Sequence, residues 1–225
     1  MSDLKLLQRI ETRTLKENVC EVLRQLIIDG TLAPGSEFNQ AQVAEQLGVS
    51  RGPVREALGK LEQEGLLLNV PYKGVIITSL TEKYVKELYS VRTALELLAL
   101  DYSIERLTGA ELDYLEDIVE KMRAAASTGD LTNLGEFDCN FHEYLVTKAE
   151  HELALNLWLN LEVGIKRCLR RRHKIYTHLD EAVGSHPELI TALKARDKTK
   201  AKQILSDHIV ESLQHVLTGV ETPET

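Results

Sequence analysis

The sequence predicts a mainly α-helical protein in two domains: residues 1–78, a helical unit closed by a β-hairpin, and residues 79–225, an all-α helical bundle. Three observations predict it. The 225 residues exceed one average domain. Strand signals end at Thr78. From Thr81 onward, long apolar periods of helical spacing follow one another, parted only by short polar breaks.

The first helix is read from Leu15, Val19, Val22, Leu23, Leu26 and Ile27, which share one apolar face and end before Gly30 and the Pro34-Gly35 turn. Asn39 caps a short second helix carrying Val43, Ala44 and Leu47, and Gly48 supplies the positive φ of a sharp turn. Ser50 caps a third helix with Val54, Leu58 and Leu61 inward and Arg51 and Arg55 outward, ended by Gly65. Leu66–Val70 and Val75–Thr78, on either side of Pro71-Tyr72-Lys73-Gly74, form the hairpin. Three helices, a glycine turn between the second and third, and a terminal hairpin make a winged helix-turn-helix. Beyond it, breaks at Thr108-Gly109, Ser127–Asp130, Lys148–His151, His178–His186 and Asp197 divide the helical bundle. Thr108 and Glu111 form a capping box, and Pro187 suits a first helical turn.

The net charge of -8 is unevenly spread. Through residue 75, nine Lys and Arg stand against ten Asp and Glu, and beyond it eighteen against twenty-five, so the acid belongs mostly to the second domain. DNA affinity must then come from a local basic patch, doubled by dimerisation. Cys20, Cys139 and Cys168 are odd in number and far apart, which argues for reduced, buried thiols rather than disulfides. The opening Met-Ser-Asp-Leu-Lys has no apolar signal region and no apolar run approaches a bilayer's thickness, so a cytoplasmic protein without membrane contact is expected.

A recognition helix enters the major groove N-terminus first, with long donors near that end. Arg51 and Arg55 answer that need; Ser50 and the amides beside it can hold a phosphate, and Lys73 and Gly74 at the wing tip can approach the minor groove. The competing reading is a pair of solvated arginines on a helical hairpin. The run Leu47-Gly48-Val49-Ser50-Arg51-Gly52-Pro53-Val54-Arg55-Glu56-Ala57-Leu58, followed by Leu61-Glu62-x-Glu64-Gly65-Leu66, resembles the DNA-binding domain of the GntR family over roughly residues 10 to 78. The resemblance implies a dimeric regulator of double-stranded operator DNA whose Ser50, Arg51, Gly52, Arg55, Lys73 and Gly74 lie at the DNA. Gly52 replaces a Thr common in that family, and Ala41 replaces an Arg that contacts DNA in some members.

In the second domain, Asp138 and His142 stand four apart on a face shared with Leu134, Phe141 and Leu145, so a carboxylate and an imidazole point together into the bundle. Two further imidazoles, His186 and His208, lie on apolar faces. One carboxylate and three imidazoles suit zinc, with nickel or manganese as alternatives. Core histidines bonded to an acid or to water are the competing reading. The segments Leu88-x-x-Val91-Arg92-x-x-Leu95-Glu96, Asp138-x-x-x-His142, His186-x-x-Leu189-Ile190 and His208-Ile209 resemble the FCD ligand-binding domain of the FadR subfamily. That resemblance implies a divalent metal on Asp138, His142, His186 and His208, and Arg92 beside a small organic-acid effector. The alternative for Arg92 is an ion pair with Glu96, one turn along.

Other features take structural readings. Arg167, Arg170, Arg171, Arg172, His173 and Lys174 are expected to be a solvated helix end, Trp158 and Tyr144 packing groups, and Cys139 a core thiol. The expected function is a repressor or activator whose effector changes the spacing of two recognition helices across a homodimer. A metal-dependent hydrolase or lyase with an accessory winged-helix domain is the alternative from another class, and a ligand-free DNA-binding structural protein a third.

Overall fold

The computed structural model describes residues 14–70, 74–173 and 178–218. The chain falls into two compact units that part between Thr78 and Ser79.

In the first unit, α1 (Leu15–Ile28) starts at a capping box in which the Thr14 side chain accepts from the Glu17 amide and the Glu17 carboxylate accepts from the Thr14 amide. Its buried stripe is Val19, Cys20, Leu23 and Ile27, whereas Leu15 and Val22, expected on the apolar face, are 50% and 44% exposed. The helix packs on α3 (Arg51–Gln63), whose Val54, Ala57, Leu58 and Leu61 are buried. Arg24 locks the pair through two bonds to the Glu64 carboxylate, at 2.9 Å from Nε and 2.8 Å from Nη2. Asn39 caps α2 (Gln40–Gln46) by accepting from the amides of Ala41 and Gln42. Gly48, at φ 65°, makes the turn between α2 and α3, a conformation that a Cβ would strain. Ser50 occupies the N-cap position of α3, but its hydroxyl makes no capping bond, contrary to the expectation from its sequence.

The hairpin strands are β2 (Leu67–Val70) and β3 (Gly74–Ile77), paired antiparallel with Leu67 opposite Ile77 and Val70 opposite Gly74. A third strand, β1 (Glu37–Phe38), pairs with β3 and gives the order β1-β3-β2. That strand was not anticipated.

The second unit contains, among the described residues, α4 (Glu82–Ser103), α5 (Gly109–Thr128), α6 (Leu131–Lys148), α7 (Glu152–His173), α8 (His186–Lys194) and α9 (Lys198–Thr218), with a 3-10 turn at Leu179–Ala182. Thr108 and Glu111 form the expected capping box of α5, and Pro187 lies in the first turn of α8. Helix α6 packs against α4, α5 and α7, and α9 against α4, α7 and α8. Polar groups carried inward by α6 are therefore surrounded by protein. Gly164 on α7 allows close approach to α4, because a Cβ there would stand 2.7 Å from Tyr84 Oη and 3.1 Å from a Leu88 methyl.

Candidate metal centre

Three helices place the four candidate ligands. Asp138 and His142, one turn apart on α6, are both fully buried. His186 begins α8, and His208 sits on α9 at 7% exposure. One donor atom from each of the four lies within 4.8 Å of the other three. The four residues proposed from the sequence are thus brought together.

The orientation of the imidazoles follows from what holds their outer nitrogens. His142 Nδ1 stands 2.7 Å from Glu96 Oε2, and His186 Nδ1 stands 2.5 Å from the Val183 carbonyl. Both partners only accept, so each ring carries its proton on Nδ1 and a lone pair on Nε2. His208 Nδ1 lies 3.2 Å from the Ser185 hydroxyl, which suits the same tautomer. No hydrogen-bond partner reaches Nε2 of any of the three rings, or Asp138 Oδ2. Buried polar atoms are normally bonded, and four orphans on one cluster, backed by bonded outer nitrogens, match the donor set and supporting bonds of a metal site. The residues fit a divalent ion.

Charges around the cluster act on it from two sides. Burial raises the Asp138 carboxyl, but Arg172 and the three imidazoles outweigh it and hold the group well below the usual carboxylate range. Arg172 Nη2 is 3.4 Å from Asp138 Oδ1, and its Nη1 donates to Ser212 Oγ at 2.8 Å. Burial pushes His186 down to about 4 and His208 lower than its ordinary value too. Neutral rings are what metal ligation requires.

Arg92 on α4 is 1% exposed and pairs with Glu96, Nε to Oε1 at 2.6 Å, as the ion-pair reading expected. Its Nη1 and Nη2 have no hydrogen-bond partner. Glu96 also accepts from Trp158 Nε1 at 3.0 Å, and with Arg92, His142 and Trp158 around it the carboxyl is brought to about 2 against the pull of burial.

The sequence reading missed two of these roles. Arg172, expected in a solvated helix end, is 2% exposed, and Arg167 and His173 are 6% and 1% exposed. The expectation of a solvated run is therefore wrong for these three; Lys174 lies outside the described residues. The available signal was spacing, since Arg172 follows the buried Cys168 and Leu169 around the inward face of α7. Glu96 was considered only as a partner for Arg92. Trp158 is buried as expected, and Cys139 is a fully buried free thiol, as are Cys20 and Cys168.

In the first unit, Ser50, Arg51 and Arg55 are exposed at the start of α3, with Gly52 half-buried between them. Gly74 opens β3 at φ 79°. Lys73 lies outside the described residues.

The sequence model of the gntR family of bacterial regulatory proteins matches residues 15–77, and that of the FCD domain matches residues 87–211. The chain belongs to the gntR family and carries an FCD domain. The regulator is 34% identical to the HTH-type transcriptional regulator YdhC of Bacillus subtilis over 199 residues, covering 87% of this chain and 89% of that one. It is 32% identical to the gluconate operon transcriptional repressor of Bacillus licheniformis, over 80% of this chain and 75% of that protein. The transcriptional repressor RspR of Escherichia coli is 26% identical over 91% of the regulator and 90% of its own length. Among solved structures, Escherichia coli McbR/YncC shares the fold at TM-score 0.78 and 24% identity, covering 92% of this chain and 99% of that one. These relatives are regulators by name, which sets aside the hydrolase or lyase alternative. No described helix is long and apolar enough to cross a membrane.

Proposed function

We propose that the regulator is a cytoplasmic homodimer of the FadR type that binds double-stranded operator DNA through residues 1–78. A small organic acid held at a divalent metal, zinc before nickel or manganese, controls that affinity through residues 79–225. The observation that carries the reading is the buried cluster of one carboxylate and three outward-supported imidazoles with orphaned inner donors, together with an arginine whose two Nη atoms have no hydrogen-bond partner.

Asp138, His142, His186 and His208 would hold the ion. When bound, it supplies a Lewis acid for a carboxylate or hydroxyl of the effector. Arg92 offers the fork of its two Nη atoms to the same anion, a bidentate geometry that suits a carboxylate. Gluconate, in the name of the Bacillus licheniformis repressor, is an acid of this class. At the DNA, Arg51 and Arg55 reach base edges or phosphates. The uncapped Ser50 hydroxyl and the first amides of α3 take a phosphate, Gly52 lets the backbone approach, and Lys73 and Gly74 serve the wing. The effector acts by preferring one arrangement of the dimer over another.

The test is elemental analysis of protein purified without chelator, beside Asp138→Ala and His186→Ala. Near-stoichiometric zinc, nickel or manganese in the wild type that falls in both variants supports the site. A wild type that takes up none of these metals after supplementation overturns it.

A further inference from the structure

Glu96 is held by three donors at once: Arg92 Nε at 2.6 Å, Trp158 Nε1 at 3.0 Å and His142 Nδ1 at 2.7 Å. Two of these neighbours belong to different halves of the proposed site, His142 to the metal and Arg92 to the anion. All four side chains are at most 3% exposed, and they come from α4, α6 and α7. We infer that Glu96 is a positioning residue that sets the metal site and the anion site together, by fixing the His142 tautomer with one oxygen and the Arg92 fork with the other. This rests on the metal reading of the cluster given above.

The chemistry of the carboxylate is what matters. Both oxygens only accept, so His142 must present Nδ1–H to Glu96 and its lone pair to the other ligands. An amide at this position can accept from Arg92 and Trp158 through its oxygen, but its NH2 then faces His142 Nδ1. The ring answers by accepting there and moving its proton to Nε2, where it blocks ligation. Loss of such a supporting carboxylate lowers metal affinity by roughly 10–100-fold. Metal bound at Nε2 makes Nδ1–H a stronger donor to Oε2, which holds Glu96, and with it the Arg92 fork on Oε1, more firmly in the position that the anion requires. Metal and anion affinities are in this way linked, and the linkage is reciprocal.

The chain's single tryptophan, Trp158, is bonded to the same carboxylate and serves as a built-in reporter. Zinc alone is titrated into metal-free wild type, Glu96→Gln and Trp158→Phe, with affinity read by chelator competition and tautomer by imidazole nitrogen NMR. Succinate is then titrated into the zinc-saturated proteins. The expected result is a 10–100-fold loss of zinc affinity in Glu96→Gln with His142 shifted to the Nε2–H tautomer, and a weakened succinate affinity at zinc saturation. Wild-type Trp158 fluorescence changes on zinc binding without anion, and Trp158→Phe keeps zinc affinity within a few-fold. Circular dichroism separates these effects from loss of fold. If Glu96→Gln unfolds, the wild-type tautomer and the zinc response of Trp158 decide the matter. A wild type that binds zinc as tightly as a folded Glu96→Gln overturns the inference while leaving the metal site intact. A wild type with His142 protonated on Nε2, or with Trp158 silent to bound zinc, also overturns it. A wild type that takes no zinc overturns both.

Discussion

At the scale of single residues, the C-terminal unit concentrates buried titratable groups where a hydrophobic core would be cheaper to build. Asp138, His142, His186, Arg92, Glu96, Arg172 and His173 are all at most 3% exposed. An unpaired buried polar group is costly, so such a cluster persists only when its members satisfy one another or a ligand. Its acid sensitivity follows. Burial holds His186 near 4 and His173 near 3 in the native chain, against about 6.5 when unfolded. Between those values the unfolded chain binds protons that the native chain refuses, so native stability falls as pH drops through this window and is unaffected above it. The melting temperature of chelator-treated protein is expected to decline from pH 7 to pH 4.5; a level profile would contradict the buried neutral imidazoles. Added zinc should raise melting at pH 7 and lose that effect as the ligands protonate.

At the scale of elements, α4 and α7 meet closely enough that a side chain at Gly164 would collide with Tyr84 and Leu88. Gly164→Val is expected to cost about 1–3 kcal/mol by overpacking, measured by denaturant unfolding followed through Trp158. An unchanged midpoint would mean the helices separate freely there. The helix boundaries themselves were legible to within a residue or two, since the breaks expected at Thr108-Gly109, Ser127–Asp130, Lys148–His151 and Asp197 each overlap the junction of consecutive helices, with Gly109, Ser127, Thr128 and Lys148 inside the helices. Caps and apolar periods are local signals, and they operate within a turn or two of the chain. The two-residue β1 was not legible, because Glu37 and Phe38 owe their strand conformation to hydrogen bonds from β3, nearly forty residues on.

At the scale of the whole molecule, operator binding is proposed to join two copies of the first unit to DNA. Arg51→Ala and Arg55→Ala are each expected to weaken binding to an operator selected from random DNA by about 1–3 kcal/mol. Each should leave zinc content unchanged, because the two units are compact separately. A mobility-shift titration at several salt concentrations checks this, and a variant that keeps full operator affinity would remove that arginine from the interface. Footprinting should show half-sites centred roughly 34–36 Å, or a multiple, apart; a single protected half-site would exclude the dimeric mode.

What the sequence by itself determined is what short-range chemistry writes: helix periods, the caps at Asn39 and Thr108 though not at Ser50, the glycine turn before α3, and the pairing of Asp138 with His142 one turn along a single helix face. The resemblance to the FCD domain added His186 and His208 to the candidate set, and both are buried. Only the tertiary structure decided which nitrogen of each ring faces the others, because that depends on Glu96, Val183 and Ser185, contributed by segments distant along the chain from two of the rings. It also decided that Arg172 is a core residue rather than a solvated one. A guanidinium is buried only where carboxylate and hydroxyl partners await it, and Asp138 and Ser212 lie on other helices.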